Sequence, residues 1–259
     1  QGVIQRRDRG GAVIIDLGKI TGLLAQTEQI PREFYKAGAR MRFYVISVAL
    51  GNRGPEIMLS RIHNDMVRVV FEQEIPEVAN SEVEIKGIAR DAGNRSKVAV
   101  WTNEDSIDPI GSCIGQRGSR ITTIIDELGG EKIDVIQYHE DVPTYIKEAL
   151  SPAKVNTVEL NEKEKLATVH VAEDQFSLAI GRGGQNVRLA AALTGWQINV
   201  VQLGEEEKAV SSEDDAENIE DVSIEKKEDS EEEKKVESAD ELAVSESTEV
   251  EEKKEEEAA

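Results

Sequence analysis

The sequence predicts a multidomain protein in which a small all-β barrel precedes two α+β domains, each with a three-stranded sheet plus helices, and a disordered acidic C-terminal tail. Three observations carry this prediction. Five short alternating segments occupy the first 61 residues, a stretch near residue 113 recurs 66 positions later, and the charge changes sharply near residue 205. The predicted domains are 1–61 for the barrel, 62–138 and 139–203 for the two α+β domains, and 204–259 for the tail.

The barrel is predicted from strand-like segments separated by turn residues. Residues 2–26 give three alternating segments broken by glycines, and residues 40–61 give two more around the turn "GNRGP". Five strands at this spacing are typical of an OB-fold barrel, a common platform for nucleic acids. The first 61 residues hold ten Lys or Arg against five Asp or Glu. A nucleic-acid contact and an ordinary solvated barrel surface both remain open.

The repeat contains a glycine loop between two helices. "CIGQRGSRI" (113–121) aligns with "AIGRGGQNV" (179–187), and apolar residues at helical spacing precede both loops. Each second helix stops near a glycine, Gly129 or Gly195, and runs into a strand, 132–138 or 196–202. A helix-loop-helix duplicated for packing explains the apolar faces, but it does not explain the glycines.

The glycine spacing points to a phosphate backbone. The glycines do not give G-x-G-x-x-G, and no G-K-[ST] follows, so a mononucleotide loop is not supported. A G-x-x-G loop before a helix start lets a phosphodiester chain approach the backbone amides, as in the KH module, whose loop clamps four nucleotides. The predicted RNA-binding residues are Ile114, Gly115, Gln116, Arg117, Gly118, Ser119 and Arg120 in the first copy, and Ile180, Gly181, Arg182, Gly183, Gly184, Gln185, Asn186 and Arg188 in the second.

The elements upstream of each loop set the subtype of the two domains. A helix at 64–75 and strands at 83–90 and 97–102 precede the first loop, and a helix at 142–150 and strands at 155–160 and 166–171 precede the second. The order helix, strand, strand, helix, helix, strand resembles the prokaryotic type II KH domain. Asp108 before a proline, and Asp174, fit the chemistry of a helix start.

A barrel of the S-one type followed by two KH domains resembles the bacterial NusA family of transcription elongation factors. Residues 108–121, 127–136 and 178–196 carry the resemblance, which covers 1–203. It implies a non-enzymatic, cytoplasmic regulator that binds single-stranded nascent RNA, RNA polymerase and antitermination complex proteins, and that modulates pausing, termination and antitermination. The family normally starts with a helical polymerase-binding domain, and the chain starts at Gln1, so a fragment lacking that domain is expected.

Other proteins also combine KH and S-one-type domains, and this chain differs from them in its number of KH domains and in its barrel aromatics. The alternative is the RNA-binding portion of an RNA-degrading enzyme or of an exosome-type complex, which also join KH and S-one-type domains but with a single KH domain. Many S-one-type barrels carry aromatic residues on strands two and three, whereas residues 11–26 have none. We expect the barrel aromatics at positions 34, 35, 43 and 44 to pack in the core rather than stack on bases.

The net charge of −21 belongs almost entirely to the end of the chain. Residues 205–259 hold 25 Asp or Glu and 7 Lys or Arg and no aromatic residue, which is typical of disorder. No cofactor, metal site or catalytic constellation is predicted, because the three histidines are scattered and no nucleophile and base are paired. The single cysteine, Cys113, is expected to be a small buried residue, and no apolar run predicts a membrane span.

Overall fold

The computed structural model describes residues 1–51, 54–203 and 209–211, the last three as backbone only. All of them belong to one compact unit. The predicted disorder of the tail falls outside the described residues, apart from that three-residue segment. Chain order gives a β domain, then two α+β domains built on the same plan.

The β domain is a barrel of six strand segments. They are β1 (Gly2–Arg7), β2 (Val13–Asp16), β3 (Thr21–Leu24), β4 (Arg40–Met41), β5 (Tyr44–Gly51) and β6 (Gly54–Ser60). The sheet order is β4-β1-β2-β3-β6-β5. Because only two residues separate β4 from β5, these segments are two parts of one strand that joins both sheet edges and closes the barrel. Counted this way, the five predicted strands and the OB-type barrel are confirmed.

One end of the barrel leads to the next domain, and the other end carries the turn between β2 and β3. Strands β3 and β6 run parallel, with Gly22 opposite Ile57 and Leu24 opposite Leu59, so both finish at the same end. The segment that follows β3 and the connection to the next domain therefore start at this end. The turn between β2 and β3, which carries Lys19, lies at the opposite end.

The first α+β domain has the predicted element order. It contains α1 (Asn64–Glu74), α2 (Pro76–Ala79), β7 (Glu84–Asp91), β8 (Arg95–Trp101), α3 (Pro109–Ile114), α4 (Ser119–Glu127) and β9 (Lys132–Gln137). Its sheet order is β7-β8-β9, with β8 and β9 parallel. Apolar residues of the helices and of the inner sheet face form one core, which includes Phe71, Val98 and Ile124.

The second α+β domain repeats this plan and adds a strand. It contains α5 (Val142–Ala149), β10 (Val155–Asn161), β11 (Leu166–Val171), α6 (Glu173–Ile180), α7 (Gln185–Thr194), β12 (Gln197–Gln202) and β13 (Ala209–Ser211). The sheet order is β10-β11-β12-β13, with β12 and β13 antiparallel. The sheet therefore extends past the predicted boundary at residue 203.

Side-chain caps fix where several helices begin. Asp108 accepts a hydrogen bond from the Ile110 amide at 3.1 Å, and a proline follows it at the first helical position. Asp141 accepts hydrogen bonds from the Thr144 hydroxyl and from the Thr144 amide, the latter at 3.1 Å, and the two bonds hold the pKa of Asp141 below its usual value. Asp174 lies in the first turn of α6, which has no side-chain cap.

The two α+β domains pack directly against each other. Helix α7 of the second contacts β7 and β8 of the first. Tyr145 lies edge-on to Tyr138, with ring centroids 5.0 Å apart, and Tyr138 follows the last strand of the first domain directly. Only four residues separate β9 from α5, so the connection is short as well as packed.

Candidate nucleic-acid interface

The first glycine loop is a left-handed bend between α3 and α4. The φ angles are +73° at Gly115, +53° at Arg117 and +76° at Gly118. An L residue pays a steric penalty in this region, which glycine avoids. A Cβ on Gly115 would also approach the Arg120 side chain to 2.7 Å. Glycine at position 115 is therefore required by both conformation and space.

The second loop has the same backbone and explains its third glycine. The φ angles are +75° at Gly181, +58° at Gly183 and +71° at Gly184. Gly183 is 66 positions after Arg117, so the same left-handed position holds glycine in one copy and arginine in the other. The three glycines in "GRGG" thus occupy the three left-handed positions of a G-x-x-G bend.

Two of the predicted RNA-binding residues brace the loops from behind. Arg120 donates from Nη1 to the Ser112 carbonyl at 2.7 Å, and to Glu77 at 2.8 Å. Asn186, at the equivalent position of the repeat, is 3% exposed, and its amide donates to three carbonyls, of Leu150, Leu178 and Ala179. Leu178 is the repeat equivalent of Ser112. The same position in each copy therefore ties its two helices together across the loop.

The loop tips are available to a ligand. Gln116, Arg117 and Ser119 are exposed in the first copy, and Arg182 and Arg188 in the second. The α4 and α7 helices begin directly behind the tips, so their free amides and the positive end of the helix dipole face the same side. Of the flanking apolar residues, Ile114 is 37% exposed, whereas Ile180 packs against the core of the second domain.

The two loops have different electrostatic surroundings. An open groove of about 630 Å³ at the second loop is lined by Arg32, Arg95, Lys132, Arg182 and Arg188, together with glycine and amide residues and no carboxylate. A groove of about 760 Å³ at the first loop is lined instead by Glu77, Glu82 and Asp108, with Arg120 as its cation. A backbone hydrogen bond, and then Arg120, hold the pKa of Glu77 below its usual value, so it stays ionised. The positive potential is therefore concentrated at the second loop.

A buried ion pair lies where the barrel meets the first α+β domain, and its arginine also donates to a carbonyl of that domain. Arg61 is 1% exposed and binds Glu33 of the barrel through two nitrogens, the Arg42 carbonyl at 3.0 Å and the Glu127 carbonyl at 3.1 Å. These are paired charges with hydrogen bonds on most of their polar atoms, the condition under which a buried charge is tolerated.

A second buried pair holds the turn between β7 and β8. Arg90 and Glu131 have fully buried side chains and lie 2.9 Å apart. Arg90 also donates to the carbonyls of Arg61 and His63, and Glu131 accepts from the Gly93 amide at 2.9 Å. The sequence analysis did not identify either pair, because the partners are 28 and 41 positions apart.

The barrel aromatics divide as expected, with one exception. Tyr35 and Phe43 pack against the barrel core, and Tyr44 packs against the first α+β core and stacks on His63. Phe34 is 91% exposed, so the expectation of core packing is wrong for this residue.

Other expected features have simple structural outcomes. Cys113 is fully buried, and its burial raises the pKa of the thiol to about 12, so it stays protonated. The described residues bring no three His, Cys, Asp or Glu into a group that could hold a metal ion. None of the described helices combines the length and apolar character needed to span a bilayer.

Comparisons with known proteins agree with the repeated loops. Residues 61–138 match the family model of the NusA-like first KH domain, and residues 142–208 match the model of the NusA-like second KH domain. The chain belongs to the NusA family. The predicted family resemblance and the two KH domains are thereby confirmed.

Relatives named "Transcription termination/antitermination protein NusA" cover most of the chain. That of Halalkalibacterium halodurans is 43% identical over 226 residues, 87% of this chain and 59% of the relative. That of Bacillus subtilis is 46% identical over 199 residues (77% and 53%), and that of Thermus thermophilus is 46% identical over 215 residues (83% and 54%). The chain thus spans between 53% and 59% of the length of these relatives.

Proposed function

We propose that this chain is a non-enzymatic, cytoplasmic transcription elongation factor that binds single-stranded nascent RNA through both KH loops. The observation that carries the proposal is the pair of matching left-handed G-x-x-G bends, each with an exposed arginine at its tip and a helix start behind it. Such a loop admits a phosphate chain and offers it backbone amides, which is how KH domains clamp about four nucleotides.

The two loops act as one RNA-binding surface. Gln185, the first residue of α7, donates to Asp91 of the first KH domain at 2.5 Å, and Lys97 of the first domain donates to the Ser151 carbonyl of the second at 2.9 Å. These contacts and the packing of α7 hold the loops at a fixed separation. Binding at the second loop is then intramolecular once the first is occupied, so the effective concentration is high.

The proposed RNA-contacting set is the predicted one with two changes of role. Arg120 and Asn186 are proposed to position the loops, because Nη1 of Arg120 and the amide nitrogen of Asn186 donate to groups of the protein itself. The exposed tip residues and the amides behind them are proposed to contact RNA.

The role in transcription rests on family membership. RNA polymerase and antitermination complex proteins are the proposed partners, with pausing, termination and antitermination as the proposed processes. The family matches do not favour the alternative of an RNA-degrading enzyme. An enzyme of that kind would shorten labelled RNA in the presence of phosphate, and we expect no shortening when the purified chain is incubated with RNA and phosphate.

Binding of RNA oligonucleotides of two lengths tests the tandem surface. With about four nucleotides per KH domain, an RNA of about ten nucleotides reaches both loops and one of about five does not. We expect at least tenfold tighter binding of the longer RNA by fluorescence anisotropy, which corresponds to about 1.4 kcal/mol. Arg117→Asp and Arg182→Asp should each remove most of this advantage, since Asp opposes the phosphates and, at position 117, also tolerates the left-handed backbone.

Lys19→Asp is the matched control, because it makes the same charge change at the barrel end that faces away from the KH domains. It should retain the length dependence, with all variants compared by circular dichroism. Equal affinity of the unmodified chain for both lengths would show that only one KH domain binds. Crosslinking of the chain to a transcribing polymerase, mapped on protein and RNA, tests the proposed partner.

A further inference from the structure

The groove at the second loop is built by three domains. Arg182 and Arg188 come from the second KH domain, Arg95 and Lys132 from the first, and Arg32 from the barrel segment after β3. Sequence reasoning placed RNA binding at the loops alone and left the role of the barrel open. The position of Arg32 links the barrel to the loop.

Within the part of the chain that the structure describes, four of these cations have no carboxylate partner. Of the four, only Arg188 donates a side-chain hydrogen bond there, from Nη1 to the Gly183 carbonyl, which leaves its other nitrogens for an anion. Arg32, Lys132, Arg182 and Arg188 are exposed, and none of the ion pairs among the described residues involves them. Arg95 is different, since it holds Asp134 at 2.7 Å. Four unpaired cations around a groove of about 630 Å³ with no carboxylate in its lining would repel one another, and a polyanion would relieve this repulsion.

The barrel segment that carries Arg32 to the groove is held by contacts before and after that residue. The segment before it lies against the turn between β7 and β8, where a Cβ on Gly93 would approach Ile30 to 2.3 Å. The residue after it, Glu33, is held by the buried Arg61. Arg32 itself has a left-handed φ of +70°, a conformation that persists where the surroundings determine it.

The remaining walls are joined to the same turn. Glu131 binds the Gly93 amide and Arg90, which sets the turn that bears Gly93 and Asn94. Gln185 binds Asp91 at the start of that turn, which fixes the second KH loop against it. The three cationic walls are therefore held together before any ligand arrives, as in a preorganised binding site.

We propose that this three-domain groove is the main anchor for the RNA phosphate backbone and that Arg32 of the barrel contacts a phosphate there. The inference rests on the proposed function and extends it, because it makes the KH loops unequal and brings the barrel into the RNA-binding surface. The first loop, with carboxylates around it and Arg120 paired to Glu77, is the weaker contact.

Arg32→Ala, compared with Lys19→Ala in the full chain, tests the proposal. Both changes remove one exposed cation of the barrel, and alanine keeps the left-handed strain of position 32 unchanged. With a ten-nucleotide single-stranded RNA, we expect Arg32→Ala to weaken binding about threefold to tenfold. The slope of log affinity against log salt should fall by about 0.7, the value for one phosphate contact on a single strand. Lys19→Ala should change neither quantity, and Arg32→Lys should restore most of both.

The outcomes separate this inference from the proposed function. If the unmodified chain binds RNA and Arg32→Ala matches Lys19→Ala in affinity and salt slope, the barrel does not contact the phosphate backbone and the inference fails. If Arg117→Asp lowers affinity more than Arg182→Asp, the second loop is not the main anchor and the inference also fails. If the unmodified chain does not bind any of the RNAs, the proposed function itself fails. Unfolding temperatures of all variants confirm that the comparison is between folded proteins.

Discussion

Lys97 is buried where the two KH domains meet, and we expect it to make the free energy of unfolding depend on pH as long as water stays excluded from this junction. Its side chain is fully buried, with Nζ 2.9 Å from the Ser151 carbonyl of the second domain and 3.3 Å from Asp134 of the first. Burial lowers the pKa of Lys97 from 10.5 to about 8, against the opposing effect of Asp134. One pKa unit corresponds to about 1.4 kcal/mol, so at low pH the charge on Lys97 destabilises the folded state by about 3 kcal/mol.

The sign of the pH dependence follows from which state holds the proton. Between pH 8 and 10.5 the unfolded chain keeps the Lys97 proton more often than the folded chain does, so raising the pH increases the free energy of unfolding. Integrating between pH 7 and pH 9 gives an increase of about 1.3 kcal/mol from this residue. The buried thiol of Cys113 acts in the opposite direction, since its raised pKa makes unfolding easier as pH rises past 9.

Comparison with Lys97→Met isolates the contribution of Lys97, because Cys113 is common to both proteins. Asp134 keeps its pair with Arg95 in the variant, so no carboxylate is left alone. We expect the stability of the variant relative to the unmodified chain to fall by about 1.3 kcal/mol between pH 7 and pH 9. Urea unfolding followed by the fluorescence of Trp101 and Trp196, one in each KH domain, provides the measurement. A constant difference across this range would show that water reaches Lys97 and that the junction is open.

Two further predictions concern the second loop and the acidic tail. Gly183→Ala should cost about 1 kcal/mol for the left-handed φ alone, whereas Gly181→Ala should cost more, since its Cβ would also approach the Asn186 backbone nitrogen to 2.9 Å; equal unfolding temperatures would contradict this ranking. Removing residues 212–259, which carry 22 acidic and 6 basic residues, should leave the unfolding temperature almost unchanged and should leave RNA affinity unchanged or raise it, most visibly at low salt. A cooperative loss of stability on removal would show that this segment contributes to the packed structure.

Local patterns were sufficient to predict the elements that carry the loops. Glycines at fixed spacing, an Asp-Pro helix start and alternating strands depend on neighbours within a few residues, so they can be read from the sequence. The 66-residue repeat added the correspondence between Arg117 and Gly183, although sequence alone did not show that both occupy a left-handed position.

Side-chain roles that depend on distant partners could not be predicted. Arg120 and Asn186 looked like RNA contacts because they follow the loops, but their nitrogens face the carbonyls of the preceding helix. Arg32 lies in a segment with no motif. It lines the groove only because the segment after β3 packs against the first KH domain. The exposure of Phe34 was missed for a similar reason, since alternation along the chain does not show which side of a loop is covered.

The short strand Ala209–Ser211 has a consequence for any shortened form of this chain. It pairs with Asn199, Val200 and Val201 of β12, so the chain itself covers the middle of the β12 edge. A protein cut after residue 203 would leave the hydrogen-bonding groups of this edge open, and an open strand is a template for pairing with another molecule. Such a truncation is expected to self-associate edge to edge as its concentration rises, while a chain that ends after Ser211 keeps the β12 edge paired.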